Sequence, residues 1–350
     1  MPEPHPYRKL KIPDDAPIEL KLSPGKGWVV FATRPIKKGD LILKEKAIFI
    51  ISKPAGEDVT ENDVGRAWSS IRQSEREMVV QCLRNNGSQP FVYLLEMWYQ
   101  NNFTLTSQDA AFVAAGYYRP GVQIRKGWFP LQGRFNHSCL PNARIPWTET
   151  TEDSISNFAM RDIAAGEEIT ICYDGHFHFY TRKERHEILE FACDCRACDL
   201  SDDNKLFQQL SEMRRTILRG LFNHRYGKDL SASGEAWPPT IIVDPELKSA
   251  AESYNIPLST RFIHGVLFTV LMEEEGLLDD FATERIYATM VFPPTMFKTE
   301  SNRRIVERAL DQDTWLEVLG VAFELDGRSD AGDQSFAEDM RRGRAELTAP

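Results

Sequence analysis

Apolar residues in the first two hundred positions come in short runs separated by turn-forming residues, at 28–32, 41–43, 47–51, 157–160 and 169–173. Runs this short, bounded by Gly, Pro, Asp and Lys, suit strands better than helices. Order is therefore expected from about Ile18 in a mainly β region, after a flexible N-terminus at 1–17 rich in proline and charge.

A weak internal repeat supports the β reading. Phe31-Ala32-Thr33-Arg34-Pro35-Ile36-Lys37-Lys38-Gly39-Asp40-Leu41-Ile42 lines up with Phe158-Ala159-Met160-Arg161-Asp162-Ile163-Ala164-Ala165-Gly166-Glu167-Glu168-Ile169. The two share Phe-Ala, Arg, Ile, Gly, an acid and Ile in register. Each reads as strand, turn, strand, with the glycine supplying the positive φ that other residues resist.

Between the two copies the period changes. Val64, Trp68, Ile71, Met78 and Cys82 recur at helical spacing, and 91–103 and 108–117 also suit helices. A helical insert is thus expected at about 56–118. After Cys198 the pattern is helical again at 205–222, 259–278 and 303–325, interrupted by Pro238-Pro239 and Pro293-Pro294. This predicts a helical C-terminal domain at 201–326 and a polar tail at 327–350.

Composition narrows the function classes. The net charge is −10, and the excess of acid falls almost wholly after residue 200. An acidic chain without a basic cluster argues against direct nucleic-acid binding, which depends on neutralising phosphates. No apolar run approaches the ~20 residues of a membrane span. Six cysteines in 350 residues, with no secretory signal at the start, suit a reducing cytoplasmic or nuclear compartment.

The cysteines are clustered in a telling way. Cys193-Asp194-Cys195-Arg196-Ala197-Cys198 offers three thiols within six residues, and Cys139 offers a fourth in Asn136-His137-Ser138-Cys139-Leu140-Pro141-Asn142. Four thiolates match the donor count of a closed tetrahedral zinc site. Taken singly, Cys139 could be a small buried apolar group, the role expected of Cys82 and Cys172. Ser23-Pro24-Gly25-Lys26-Gly27-Trp28 carries a Gly-x-Gly that alone is most often an ordinary turn; a dinucleotide fingerprint would need a third glycine and a following helix. Tyr173 ends the run Glu168-Ile169-Thr170-Ile171-Cys172-Tyr173, where a phenol caps a core or serves a pocket. Phe177, Phe179, Tyr180 and Phe191 could wall an apolar channel.

In this order, from about Ile18 to Leu200, these segments resemble the SET-domain family of protein lysine methyltransferases. The match rests on Gly25-Lys26-Gly27-Trp28, on Gly133-Arg134-Phe135-Asn136-His137-Ser138-Cys139-Leu140-Pro141-Asn142, on Ala165-Gly166-Glu167-Glu168-Ile169 through Tyr173, and on Cys193, Cys195 and Cys198. The chain is most similar to the MYND-and-SET branch but has no cysteines from which a MYND finger could be built.

The resemblance implies an α+β fold of small sheets with knot-like threading and a helical insert, in a SET domain at 18–190. It also implies a zinc-bound post-SET loop at 191–200 and a helical C-terminal region. By the same resemblance, Gly25, Lys26, Gly27, Trp28, Asn136, His137, Tyr173 and Phe191 bind S-adenosylmethionine. Tyr173 is the catalytic tyrosine, and Cys139, Cys193, Cys195 and Cys198 hold a structural Zn2+. The partner is a protein or peptide bearing a lysine. Departures lie at Ile171 and Leu189, where relatives place aromatic residues around the channel. They leave the methylation degree open, and with it two alternatives: a scaffold that binds cofactor or partner without transfer, and an enzyme acting on a small molecule.

Overall fold

The computed structural model describes residues 7, 10–79, 93–105, 123–146, 153–189, 191–225, 268 and 271–279. The chain divides into two compact units after Tyr173, earlier than the domain end expected at 190. The helices expected at 108–117 and 303–325 and the polar tail lie outside the described residues.

Among the described residues, the first unit holds ten strands in four small sheets. β1 (Ile18–Ser23) and β2 (Gly27–Ala32) form a hairpin with Ile18 opposite Ala32 and Ser23 opposite Gly27. Its connection explains the Gly-x-Gly motif: Pro24 starts a tight turn closed by the Lys26 N–H on the Ser23 carbonyl at 3.1 Å, and Gly25 and Gly27 take φ of 75° and 78°. β3 (Leu41–Lys46), β9 (Ser154–Ala159) and β8 (Ala143–Arg144) form an antiparallel sheet, as do β4 (Ile50–Pro54), β6 (Gln123–Trp128) and β5 (Asn102–Thr104). The last sheet pairs β7 (Asn136–His137) with β10 (Thr170–Ile171) in parallel.

The repeat folds as two arms that grip each other about a local pseudo-twofold. Ile36 and Ile163 exchange both backbone hydrogen bonds at 2.9 Å. The Gly39 N–H donates to the Ala159 carbonyl at 2.8 Å, and its counterpart, the Gly166 N–H, donates to the Ala32 carbonyl at 2.7 Å. Asp40 accepts the Lys37 N–H and Glu167 accepts the Ala164 N–H, each at 3.0 Å. Gly39 and Gly166 have φ of 85° and 79°. The expectation of two like segments with positive-φ glycines is met, and the pairing adds that each closes the other's turn.

Two expected strands are shorter or displaced. In the run at 47–51, the Ala47 N–H goes to Asp153, the Ile48 N–H to Trp128, and the Phe49 carbonyl accepts from Trp128. The chain is changing sheets there, so β4 begins only at Ile50. In the run at 169–173, β10 stops at Ile171 because the Tyr173 N–H is taken by a side chain, described below.

The insert supplies α1 (Glu61–Ser70), α2 (Gln73–Val79) and α3 (Leu94–Asn101). Thr60 and Asp63 form a reciprocal capping box at the start of α1. Extended backbone at Ile71 breaks the expected continuous helix, and Glu75 caps its successor by accepting the Arg72 N–H. Val64, Met97 and Trp98 join Val30, Leu43, Phe135 and Ile169 in one core, where Phe49 stacks on Trp98 and Trp128. The expected flexible N-terminus needs correcting: Tyr7 and Leu10 are buried in this core, and the Tyr7 hydroxyl accepts from Arg134 Nη1. An aromatic ring that can both pack and accept a buried guanidinium anchors a segment that charge and proline content alone would leave loose.

The second unit has α4 (Arg182–Leu189) and α5 (Lys205–Arg225) with short 3-10 turns at Gly175–Phe179 and Asp202–Asn204. α5 meets the helix expected at 205–222. Among the described residues, no helix is long and apolar enough to cross a membrane.

Candidate functional site

In the first unit, two sequence-distant turns converge. The 3-10 turn Gln132–Arg134 leads directly into Phe135 and β7, and β2 lies against it. Its entry is held from below by Glu45 of β3, whose carboxylate accepts the Leu131 N–H at 2.9 Å and the Gln132 N–H at 2.7 Å. Burial raises the Glu45 carboxyl to about 7 in spite of these two bonds and the nearby Arg134 charge.

Asn136 and Lys26 meet through a residue to which sequence reasoning assigned no role. Glu168 accepts from Asn136 Nδ2 at 2.8 Å through Oε1, and its Oε2 lies 3.7 Å from Lys26 Nζ. A carboxylate only accepts, so it fixes which end of the amide faces it. Asn136 therefore presents its carbonyl Oδ1, which has no partner among the described residues. The available signal was the repeat itself, since Glu168 breaks the match with Leu41.

His137 is buried and oriented by backbone. Its Nδ1 accepts the Tyr173 N–H at 3.1 Å, which places the ring proton on Nε2, 3.3 Å from Cys139 Sγ. The Tyr173 ring lies 5.2 Å from the imidazole, and its hydroxyl donates to the Phe135 carbonyl at 3.1 Å. The Tyr173 side chain is 46% exposed.

Beneath them Asn142, 2% exposed, ties the loop after Cys139 to the second arm. Its Nδ2 donates to Glu167 Oε1 at 3.0 Å and to the Glu168 carbonyl at 2.9 Å, and its Oδ1 accepts the Thr170 N–H at 2.8 Å. Burial opposes ionisation of Glu167. The Arg161 guanidinium, the Ala164 N–H and the Asn142 amide outweigh it and hold the carboxyl below the usual range.

The structure thus brings together Lys26, Asn136, His137, Cys139 and Tyr173, with Gly25, Gly27 and Trp28 on the adjoining hairpin. The ammonium of Lys26 and the carbonyl end of Asn136 are complementary to the two ends of an amino-acid zwitterion, so this cradle fits the methionyl part of S-adenosylmethionine.

In the second unit Phe191 is exposed, and the sulfur atoms of Cys193, Cys195 and Cys198 lie within 4.8 Å of one another. None of the five described cysteines forms a disulfide, and Cys193 and Cys198 are buried. Three soft donors this close fit a thiophilic divalent ion such as zinc. Cys139, also buried, belongs to the first unit.

Residues 27–174 match the SET domain family. The chain is 32% identical over 98 residues to the histone-lysine N-methyltransferase set5 of Schizosaccharomyces pombe, which is 27% of this chain and 30% of that protein. It is 30% identical over 129 residues to the mouse (Mus musculus) histone-lysine N-methyltransferase SMYD3, 33% of this chain and 26% of the relative. It is 40% identical over 82 residues to the zebrafish (Danio rerio) protein-lysine N-trimethyltransferase SMYD5, 21% of this chain and 18% of the relative. The matched stretch thus spans less than a third of each of these relatives.

Proposed function

We propose, from the match of residues 27–174 to the SET domain family, that this protein is an S-adenosylmethionine-dependent methyltransferase that modifies lysine side chains of a protein or peptide. The observation that carries the reading is the Tyr173 geometry, in which the hydroxyl proton is spent on the Phe135 carbonyl and the backbone N–H on His137. The named activities of the relatives, all protein-lysine methylation, support it.

S-adenosylmethionine supplies an electrophilic methyl group. Lys26, through its ammonium, and Asn136, through Oδ1, would hold the carboxylate and ammonium ends of the methionyl moiety. Gly25, Gly27 and Trp28 would contribute backbone along the hairpin, and His137 and Phe191 complete the proposed set. The acceptor lysine, with an ordinary pKa of ~10.4, must react as the neutral amine. A Tyr173 oxygen whose proton is already donated can only accept from that amine, which orients the nitrogen lone pair away from the ring and toward the donor.

The cysteines support a structural zinc in the same proposal. Cys193, Cys195 and Cys198 would supply three thiolates and Cys139 the fourth, a donor set that would leave no open position for chemistry. The parallel pairing of β7 with β10, where the other strand pairs among the described residues are antiparallel, supports the knot-like threading of the family fold.

Incubating the protein with labelled cofactor and cell extract should label lysine in one or a few proteins, and Tyr173→Phe should lower the rate by about 100-fold. Cofactor binding at normal affinity without label in any protein would favour the non-catalytic scaffold, and label only in small metabolites would favour the small-molecule enzyme. Metal analysis should return about one zinc per chain; a value near zero in protein purified without chelator would reject the metal assignment.

A further inference from the structure

The loop at 193–198 is gripped by one face of α4. Arg182, Arg185 and His186 stand at i, i+3 and i+4, the spacing that places side chains together on a helix surface. The Arg182 Nε donates to the Cys198 carbonyl at 2.7 Å, and His186 Nε2 accepts the Cys193 N–H at 3.3 Å. Between them Arg185 is completely buried. Its Nη1 donates to the Tyr180 carbonyl, and its Nη2 reaches both the Ala197 carbonyl at 3.2 Å and Cys198 Sγ at 3.4 Å.

Burying a guanidinium is costly unless its donors are met and its charge is compensated. Glu212 of α5 approaches Arg185 only to 3.7 Å and is itself 26% exposed. The partners of the buried cation include the Tyr180 and Ala197 carbonyls and the Cys198 sulfur as well as this carboxylate. Four thiolates around a divalent ion carry a net charge of −2, which a buried guanidinium donating to one of the sulfurs would offset. On the other side of the loop Arg196 lies over the Phe207 ring at 3.9 Å, and Asn204 donates to the carbonyls of Arg196 and Asp199.

We propose that Arg185 is a positioning residue of the zinc loop, whose guanidinium donates to the Cys198 thiolate and compensates the charge of the thiolate set, so that metal retention depends on it. This inference rests on the zinc assignment above. The Cys198 sulfur is turned by the N–H···S contact, and its carbonyl is pinned by Arg182, so the last ligand of the loop is set before metal arrives. Removing such a partner of a metal ligand lowers metal affinity by about 10- to 100-fold.

The test compares the full-length wild type, Arg185→Lys and Arg182→Ala in two measurements: the rate of zinc transfer to a chromophoric chelator, and the melting temperature with and without chelator. Arg185→Lys, which keeps the charge and most of the volume but loses the forked donor, should release zinc about tenfold faster. Its metal-loaded and chelated melting temperatures should also lie closer together than those of the wild type. Arg182→Ala should act in the same direction by a smaller factor. After cobalt substitution, the thiolate-to-cobalt absorption of Arg185→Lys should shift as well. Equal losses of melting temperature in both metal states, with release and absorption unchanged, would show a purely structural role and overturn the inference while leaving the zinc assignment standing. Absence of zinc from the wild type would overturn both.

Discussion

The arms at 31–42 and 158–169 do the same structural work but differ in what they reach beyond each other. Both close a turn with a positive-φ glycine, both cap it with their own acid, and each donates its glycine N–H to the other. They part at the acid and at the residue after it. Asp40 serves its own turn, whereas Glu167, one methylene longer, also reaches Arg161 and Asn142. Leu41 is 47% exposed and begins β3, whereas Glu168 in its place turns to Asn136 and Lys26. What the arms share makes a fold; where the second departs from the first lie the contacts to Asn136 and Lys26, the residues proposed above to hold the cofactor. A duplicated element can take on a ligand cradle at the few positions that its turn and core do not use.

The largest break in the symmetry should come from Asn142, which serves only the second arm. Asn142→Ala removes three hydrogen bonds from a buried position and should cost roughly 4 kcal/mol in urea unfolding; a loss below 1 kcal/mol would mean that the arm holds itself.

Next is Glu45, on the strand that follows the first arm. Its folded carboxyl is raised to about 7, so the native state binds a proton that the unfolded chain releases near pH 4.5. The group therefore favours folding at low pH, and that contribution is lost as pH rises through the interval from about 4.5 to about 7, by up to about 3 kcal/mol. Glu45→Gln should flatten this part of the stability–pH curve; an unchanged slope would exclude Glu45 as its source.

A third contrast tests the divergent position itself. Glu168→Gln should weaken S-adenosylmethionine binding by about tenfold in calorimetry, because the charged bond orienting Asn136 is worth more than a neutral one. Leu41→Gln should leave the affinity unchanged. If both variants bind alike, the cradle does not depend on where the arms differ.

The smallest effect should be shared. Gly39→Ala and Gly166→Ala should each cost about 1 kcal/mol, the penalty for a side chain in the left-handed region, and should cost the same because a Cβ at either position meets nothing within 4 Å. Unequal costs would show that the two turns carry different loads.

Much of this was legible along the chain because it rests on local chemistry. The repeat, the turn glycines, the short β runs and the helix at 205–222 follow from periodicity and φ preference, which neighbours in sequence settle between themselves. Asn136, His137 and Tyr173 were legible as a set only through their resemblance to a known family. Arg182, Arg185 and His186 could have been seen as one helix face, but nothing in their spacing says that the face holds a cysteine loop.

The sequence by itself determined which segments turn, which extend, and that thiols and a strand-end phenol were available, since these depend on residue type and near neighbours. The tertiary structure alone decided that Tyr7 and Leu10 pack rather than wander. It also decided that the chain changes sheets at Ala47–Phe49 and that Glu168 links Asn136 to Lys26. These outcomes depend on which distant donor meets which acceptor, and a one-dimensional pattern carries no information about that pairing until the chain has closed on itself.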